Sequence, residues 1–424
     1  MSLRSLLQKL LGLTGRTVIE GTEIEETTGN LVVAVRPSAR AVSRCPVCSR
    51  RVNGYDAGKG RRRWRGLDAG STIVWLEADA PRVECPRHGV LVAGVPWARH
   101  GSRFTRDFEA QVAWLCLHTC RSVVAQLMRI DWATVGGIIA RVQKDAALDT
   151  VSRFDGLRNL GIDETSYKKG YKYLTVIVDH DRNKVVWAGR GYGKTVLEQF
   201  FQQLSEEQKH SIRCVSADGA AWIADVVAAY CPQAVLAMDP FHTVAWATEA
   251  LDEVRRAAWR DARRSQGPAP SSTAKGLRGA RYALLKNPEN LTVNQQACLD
   301  LIAVDNPVIY RAWQLKETLR LALKLPIDLA EVELKRWLAW AQRSRIPVFV
   351  ELGRKIKRHY QAILDAIRLG LSNARVEATN NKIKLTIRMG YGFRNIDNLI
   401  ALIMLKCGGY NLELPGRSTT HTLS

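Results

Sequence analysis

Along residues 18–92 apolar and polar positions alternate or gather into short β-branched stretches: VIEGTEIEE, LVVAVRP and STIVWLEADAPRVEC. A period of two predicts half-buried β-strands. Near Thr105 the period lengthens to that of a helix and holds to about Asp149. Within that region RSVVAQLMRIDWATVGGIIARVQ, residues 121–143, predicts a helix, a short turn at 130–132 and a second helix, with Ser122 and Asp131 as N-caps. GIDETSYKKGYKYLTVIVDHDRNKVVWAGRGYG then predicts three strands, and TVLEQFFQQLSEE a helix. IRCVSADG reads as a strand running into Asp218, AAWIADVVAAY as a helix, and AVLAMDPFH as a strand running into Asp239. This order of elements predicts an α/β core.

From Val244 to about Leu369 the pattern is helical and basic, broken by the small-residue linker SQGPAPSST. LSNARVEATNNKIKLTIRMGYGFRN, residues 371–395, opens as a helix again. On it Glu377, Asn380, Asn381, Lys384 and Arg388 share one face, and Val376, Ile383 and Ile387 form a neighbouring stripe for a core. That polar face reads either as a solvated surface or as a carboxylate held where phosphate and a metal ion would meet. The apolar run LIALIMLK is too short to span a bilayer, and the leucine-rich start lacks the pattern of a signal peptide.

A chain of 424 residues is long enough for two to four domains. Lys+Arg 62 against Asp+Glu 41 gives a net charge of +21, which points to a polyanionic partner, most often nucleic acid. The tract KGRRRWRGL supplies Arg61, Arg62 and Arg63 as candidate contacts. Nine scattered cysteines speak against a secreted disulfide framework and for a reduced, cytoplasmic setting. Cys45-Pro-Val-Cys48 and Cys85-Pro-Arg-His88 have the spacing of a tetrahedral zinc site. Cys116 and Cys120 read as core residues. The helical pair at 121–143 fits a helix-turn-helix, whose second helix would enter the DNA major groove.

Two further patterns compete for the chemistry. AGRGYGKT, residues 188–195, follows a strand, precedes a helix and meets a loose phosphate-loop pattern, so a nucleotide-hydrolysing protein is one alternative. Against it, the loop lacks the usual first glycine. The other pattern is acidic: Asp163 ends or lies within a first strand, Asp218 follows a later one and Glu377 opens a helix. Three carboxylates brought together repel unless a divalent cation lies between them, and Mg²⁺ prefers such oxygens. Asp239 in MDPFH competes with Asp218 as the second acid.

The two cysteine-containing pairs, the helix-turn-helix, GIDET, SADG, MDPFH and NARVEATNNKIKLTIRMGYGFRN together resemble the DDE transposases of bacterial insertion sequences, most closely the ISL-three group. The resemblance runs through nearly the whole chain. It implies an RNase H-like core interrupted by a helical insertion, which suits the gap from Asp218 to Glu377, far longer than that from Asp163 to Asp218. It implies a zinc-binding β unit at 1–100, a helix-turn-helix at 101–150, the core at 155–245 and 371–412, the insertion at 246–370 and a tail at 413–424. Carried over by position, Asp163, Asp218 and Glu377 would be the catalytic triad and hold two Mg²⁺ ions, for which Mn²⁺ substitutes. Asp239 and His242 would lie near the site. Asn380, Lys382, Lys384, Arg388 and Arg394 would hold DNA phosphates. The implied partners are terminal inverted repeats, target DNA and a second copy of the chain in a dimer or higher oligomer, in a bacterial cytoplasm at the nucleoid. A DNA-binding regulator without catalysis is the non-enzyme alternative.

Overall fold

The computed structural model describes residues 3–148, 153–238, 240–264, 279–370 and 374–417. It divides into two compact units, one of Met1–Val151 with Ile383–Ser424 and the other of Ser152–Lys382.

The first unit opens with helix α1 (Leu3–Leu10) and continues through β1 (Thr17–Ile24), β2 (Leu31–Pro37), β3 (Asn53–Asp56), β4 (Arg61–Arg65), β5 (Val74–Asp79), β6 (Arg82–Cys85) and β7 (Gly89–Val92). Strands β1-β2-β5-β4 form one sheet and β3-β6-β7 a second. The alternation seen in the sequence buries Val33, Val35, Val74, Leu76 and Trp64 on one face. Helices α2 (Arg106–His118), α3 (Arg121–Leu127) and α4 (Trp132–Leu148) follow. Thr105 caps α2 through the Phe108 N–H at 3.2 Å, and the Asp131 carboxylate accepts from Ala133 N at 2.7 Å. Helix α3 begins two residues earlier than the sequence indicates, with Cys120 rather than Ser122 at its N-cap. Helices α3 and α4 meet at 100° across a turn in which Arg129 is left-handed (φ 53°), a geometry within the helix-turn-helix range.

The second unit holds a five-stranded sheet of β8 (Asn159–Lys168), β9 (Lys172–Asp179), β10 (Lys184–Arg190), β11 (Cys214–Ala217) and β12 (Val235–Met238), in the order β10-β9-β8-β11-β12. Strand β9 pairs antiparallel with both β8 and β10, whereas β11 runs parallel to both β8 and β12. Helices α5 (Lys194–Phe201), α6 (Glu206–Ser211) and α7 (Ala221–Tyr230) connect them. Strand parity decides which side chains go where. Leu160 and Ile162 of β8 and Val215 and Ala217 of β11 pack with Leu197, Phe200, Phe201, Ile223 and Val227. On the other face Cys214 and Ala237 meet Ala366.

A long all-helical run follows: α8 (Pro240–Arg264), α9 (Arg281–Leu285), α10 (Val293–Asp305), α11 (Pro307–Ala322), α12 (Ile327–Arg343), α13 (Pro347–Arg358) and α14 (Tyr360–Arg368). Three of these open on proline, whose fixed φ and missing N–H suit the first helical position. Their core centres on Trp337, Phe349, Leu315 and Leu319, and the Trp337 indole donates to Leu315 O at 2.8 Å. Helix α15 (Ala374–Met389) carries the boundary between the units, and α16 (Ile396–Cys407) closes the described fold. The sequence groups 371–412 with 155–245, whereas the contacts group the part from Ile383 onward with the N-terminal segment. The reason is packing: α16 lies on α4 and α2, Lys406 Nζ donates to Leu117 O at 3.1 Å, and the Arg121 guanidinium lies 4.5 Å over the Phe393 ring. Among the described residues no single helix is long and apolar enough to cross a membrane.

Phe200 is fully buried, with its ring 5.8 Å from Phe154, 5.8 Å from Trp187 and 5.1 Å from Phe201. Phe200→Ala is expected to destabilise the second unit by about 3–5 kcal/mol in chemical denaturation; a loss under about 1 kcal/mol would contradict this account of the core.

Candidate functional site

Asp163 stands in the middle of the central strand β8, and Asp218 directly follows β11. The parallel pairing of Gly161 with Ser216 carries the two acids to matching positions on neighbouring strands. Asp163 points to the face opposite Leu160 and Ile162, because successive residues alternate. On that face Thr165, two residues on, shares a partner with it. Asn380 of α15 donates through Nδ2 to Asp163 Oδ2 and accepts at Oδ1 from Thr165 Oγ1 at 3.1 Å. A third hydrogen bond comes from Glu164 N to Asp163 Oδ1 at 2.6 Å. Asp218 is exposed and accepts from Ala220 N at 3.3 Å.

Glu164 takes the other face of β8, where its Oε1 accepts from the Gly193 N–H at 3.2 Å. Burial pushes its carboxyl above the usual range; the Gly193 bond opposes this, and repulsion from Asp218 and Asp163 adds to it. The repulsion, though smaller than the effect of burial, places Asp163 and Asp218 within electrostatic reach of Glu164. Oxygen donors of this kind, one of them open to solvent, suit a hard divalent cation.

The same bond decides how the glycine-rich loop is used. Gly193 is left-handed (φ 94°) and starts α5, as a phosphate loop would require. Its N–H is already directed at a carboxylate, and β10 before it is an antiparallel edge strand. A loop that holds phosphate turns such N–H groups toward the ligand, so the nucleotide-hydrolysing alternative rests on spacing alone.

In the first unit Cys45, Cys48, Cys85 and His88 place one ligand atom each within 4.8 Å of one another, the one such set among the described residues. Cys45 Sγ and Cys85 Sγ each lie 3.5 Å from His88 Nδ1, and Cys48 Sγ lies 3.8 Å from Cys85 Sγ. A tetrahedral zinc ion with ordinary bond lengths sets S···N edges of about 3.5 Å and S···S edges of about 3.8 Å. The residues therefore fit zinc, with His88 binding through Nδ1. The turn is tightened by Ser49 N donating to Cys45 O at 2.9 Å, with Ser49 itself left-handed. Burial raises the Cys45 thiol, but the Cys48 and Val47 backbone N–H groups together with the Cys48 and Cys85 side chains leave it lowered, while Cys48, beside it, is raised. A cleft of about 450 Å³ adjoins this turn, lined by Arg16, Arg44, Arg62, Arg99 and Arg106 over the buried face of Trp64.

Three family models match successive parts of the chain. A family model described as a transposase matches residues 160–403. The helix-turn-helix domain of transposase family ISL3 matches residues 95–143, and the zinc finger of the IS204/IS1001/IS1096/IS1165 transposases matches residues 41–88. This chain belongs to the ISL3 family of insertion-sequence transposases. It is 48% identical to the transposase for insertion sequence element IS1557 of Mycobacterium tuberculosis over 97% of each chain. It is 28% identical to the transposase for IS1001 of Bordetella parapertussis over 92% of this chain and 95% of the relative.

Within the transposase the residues singled out by sequence fall into three groups. Asp163 and Asp218 come together, as do the four zinc ligands. Glu377 lies on α15, one helical turn before Asn380; its side chain lies outside the described residues, as does Asp239. His242 is partly buried on α8 beside Phe241. Of the basic candidates, Lys382, Lys384, Arg388 and Arg394 are exposed. Arg61 and Arg63 pair with Glu77 at 3.2 and 2.7 Å, and Arg63 also with Glu25 at 3.1 Å; Arg62 lies over Trp64. Asn380 differs from its expected role on DNA. It is 4% exposed, and both ends of its amide are engaged by β8. Glu164 had no assigned role in the sequence, although it stands in the quoted GIDET.

The purified transposase is expected to carry about one zinc per chain by elemental analysis. Cys48→Ser or prolonged chelation should remove it and melt the β unit in circular dichroism. Full retention of structure after zinc loss would show that the four residues serve another purpose.

Proposed function

We propose that this transposase binds the terminal inverted repeats of its own element and cuts and joins DNA strands at Asp163, Asp218 and Glu377. The observation that carries this reading is the pairing of β8 with β11, which aligns two of the three acids, while Asn380 ties the helix of the third to the first. The sheet order, with three antiparallel strands followed by two parallel ones, speaks for an RNase H-like core. The helices from α8 to α14 form its insertion.

The three carboxylates would hold Mg²⁺ or Mn²⁺. Divalent ions bound by such oxygens help ionise an attacking hydroxyl and stabilise the leaving oxygen of a phosphodiester. The chain's own work is positional. Asn380 and the Glu164 N–H both donate to Asp163, so its oxygens are oriented before any ligand arrives. Asp218 stays open to solvent, free to engage a ligand. Lys382, Lys384, Arg388 and Arg394 offer cations to DNA phosphates. No residue is placed to form a covalent link to DNA in this scheme: water attacks first, and the freed 3′-OH then attacks a second phosphodiester. The zinc unit and helix-turn-helix read the repeat, and two ends call for at least a dimer.

The test is strand cleavage with purified protein, Mg²⁺ or Mn²⁺, and DNA carrying the element's end. Wild type should leave metal-dependent 3′-OH ends at the repeat boundary. Asp163→Asn and Glu377→Gln should give only background, with ATP having no effect. Binding without cleavage by wild type under either metal would favour the regulator alternative.

Asn380→Ala provides a second check. It should lower cleavage roughly 10–100-fold, as loss of a group that orients a metal ligand does, while DNA affinity is unchanged because the side chain is buried. A fall in affinity with cleavage per bound complex intact would return Asn380 to a DNA-contacting role.

A further inference from the structure

The sequence tract GRKIKRHY reads as an exposed basic helix. One of its cations is held differently from the rest. Lys355 of α13 is partly buried, and its Nζ lies 3.4 Å from the centroid of the Trp246 ring on α8. Such a contact fixes an otherwise mobile ammonium. Arg354, Lys357 and Arg358 around it are exposed. The His359 ring also lies near this indole, 5.8 Å from it and tilted by 50°.

Trp246 in turn touches the backbone beside an acid of the site. A Cβ added at Gly219 would stand 3.0 Å from the far edge of the Trp246 indole and 2.9 Å from Met238 Cε. Gly219 directly follows Asp218, so its lack of a side chain lets the indole approach the turn that carries this carboxylate. The sequence of contacts runs from Asp218 through Gly219 and Trp246 to Lys355. Burial lowers the Lys355 ammonium, Glu249 opposes this, Arg358 adds to it, and the Asp218 carboxylate also pulls it back up, which places that charge within electrostatic reach. Yet among the described residues no carboxylate comes within ion-pair distance of Lys355.

A partly desolvated cation, held near the Asp218 carboxylate but not paired with it, is placed to receive an anion from outside the chain. A metal ion at Asp218 would repel it. We propose that Lys355, resting on Trp246, binds a phosphate oxygen of the DNA strand adjoining the one attacked at Asp163 and Asp218. The helical insertion thereby supplies a specific DNA contact to the active site. This rests on the transposase reading above.

The test is a binding cycle that does not depend on cleavage. Affinity for element-end DNA is measured for the full chain with Asp163→Asn, with and without Lys355→Met or Lys355→Arg, on DNA in which single phosphates are replaced by neutral methylphosphonates. Lys355→Met is expected to weaken binding of unmodified DNA about tenfold and to reduce the salt slope by about one. Lys355→Arg should restore most of the loss. On DNA neutralised at one phosphate near the cleaved bond, Lys355→Met should make no further difference. An equal loss on every modified DNA, or none on any, overturns the proposal; thermal melting of Lys355→Met separates loss of contact from loss of fold. Absence of cleavage by the protein with native Asp163 would sink the transposase reading instead and leaves the binding cycle readable.

Discussion

The second unit depends on one backbone constraint, the parallel hydrogen-bonded register between β8 and β11. Leu160 opposite Val215 and Gly161 opposite Ser216 fix where each strand ends. Acids from distant parts of the sequence thus meet without any attraction between them. Their mutual repulsion opposes the arrangement, and the buried apolar face of the same strands offsets it: Leu160, Ile162, Val215 and Ala217 pack into one core with Phe200 and Phe201. Burial of apolar area of this kind contributes about 25 cal/mol per Å². The sheet can therefore carry concentrated charge on one side because the other side is so strongly apolar.

In the proposed scheme the chain's zinc site and its carboxylate site would be separated by donor type. Sulfur and imidazole at Cys45, Cys48, Cys85 and His88 close a small tetrahedral cage suited to zinc, which has a structural part to play. Carboxylates at the end of β11 and in the middle of β8 leave one ligand open to solvent, which a reacting centre requires. Softness of the donors and closure of the site both keep the two cations from exchanging places.

Much of this was legible in the sequence, and the gaps have physical causes. The strand order and the zinc spacing could be read because period, turn residues and ligand spacing are local properties. The role of Asn380 could not. A polar residue on a helix reads as solvated, and periodicity cannot distinguish an amide facing water from one facing a buried carboxylate. Its neighbours Thr379 and Thr386 are buried as well, so the inward stripe of α15 is wider and more polar than Ile383 and Ile387 alone predict. Lys355 was hidden for a similar reason: within a run of basic residues, only packing against Trp246 sets one apart. The grouping of α16 with α2 and α4 was out of reach because apolar helices carry no mark of which core they join.

The alternation of β8 has a further consequence. Asp163 and Thr165 look one way, toward Asn380, while Ile162 and Glu164 look the other. A one-residue deletion upstream within the strand would keep it extended and hydrophobic enough to pair, yet would exchange the two sets. Inherited length is thus under as tight a restraint here as inherited chemistry. Over the history of such an element, loss of a single codon in this strand would press Asp163 into the apolar core and turn Ile162 out of it, so fold and site would fail together.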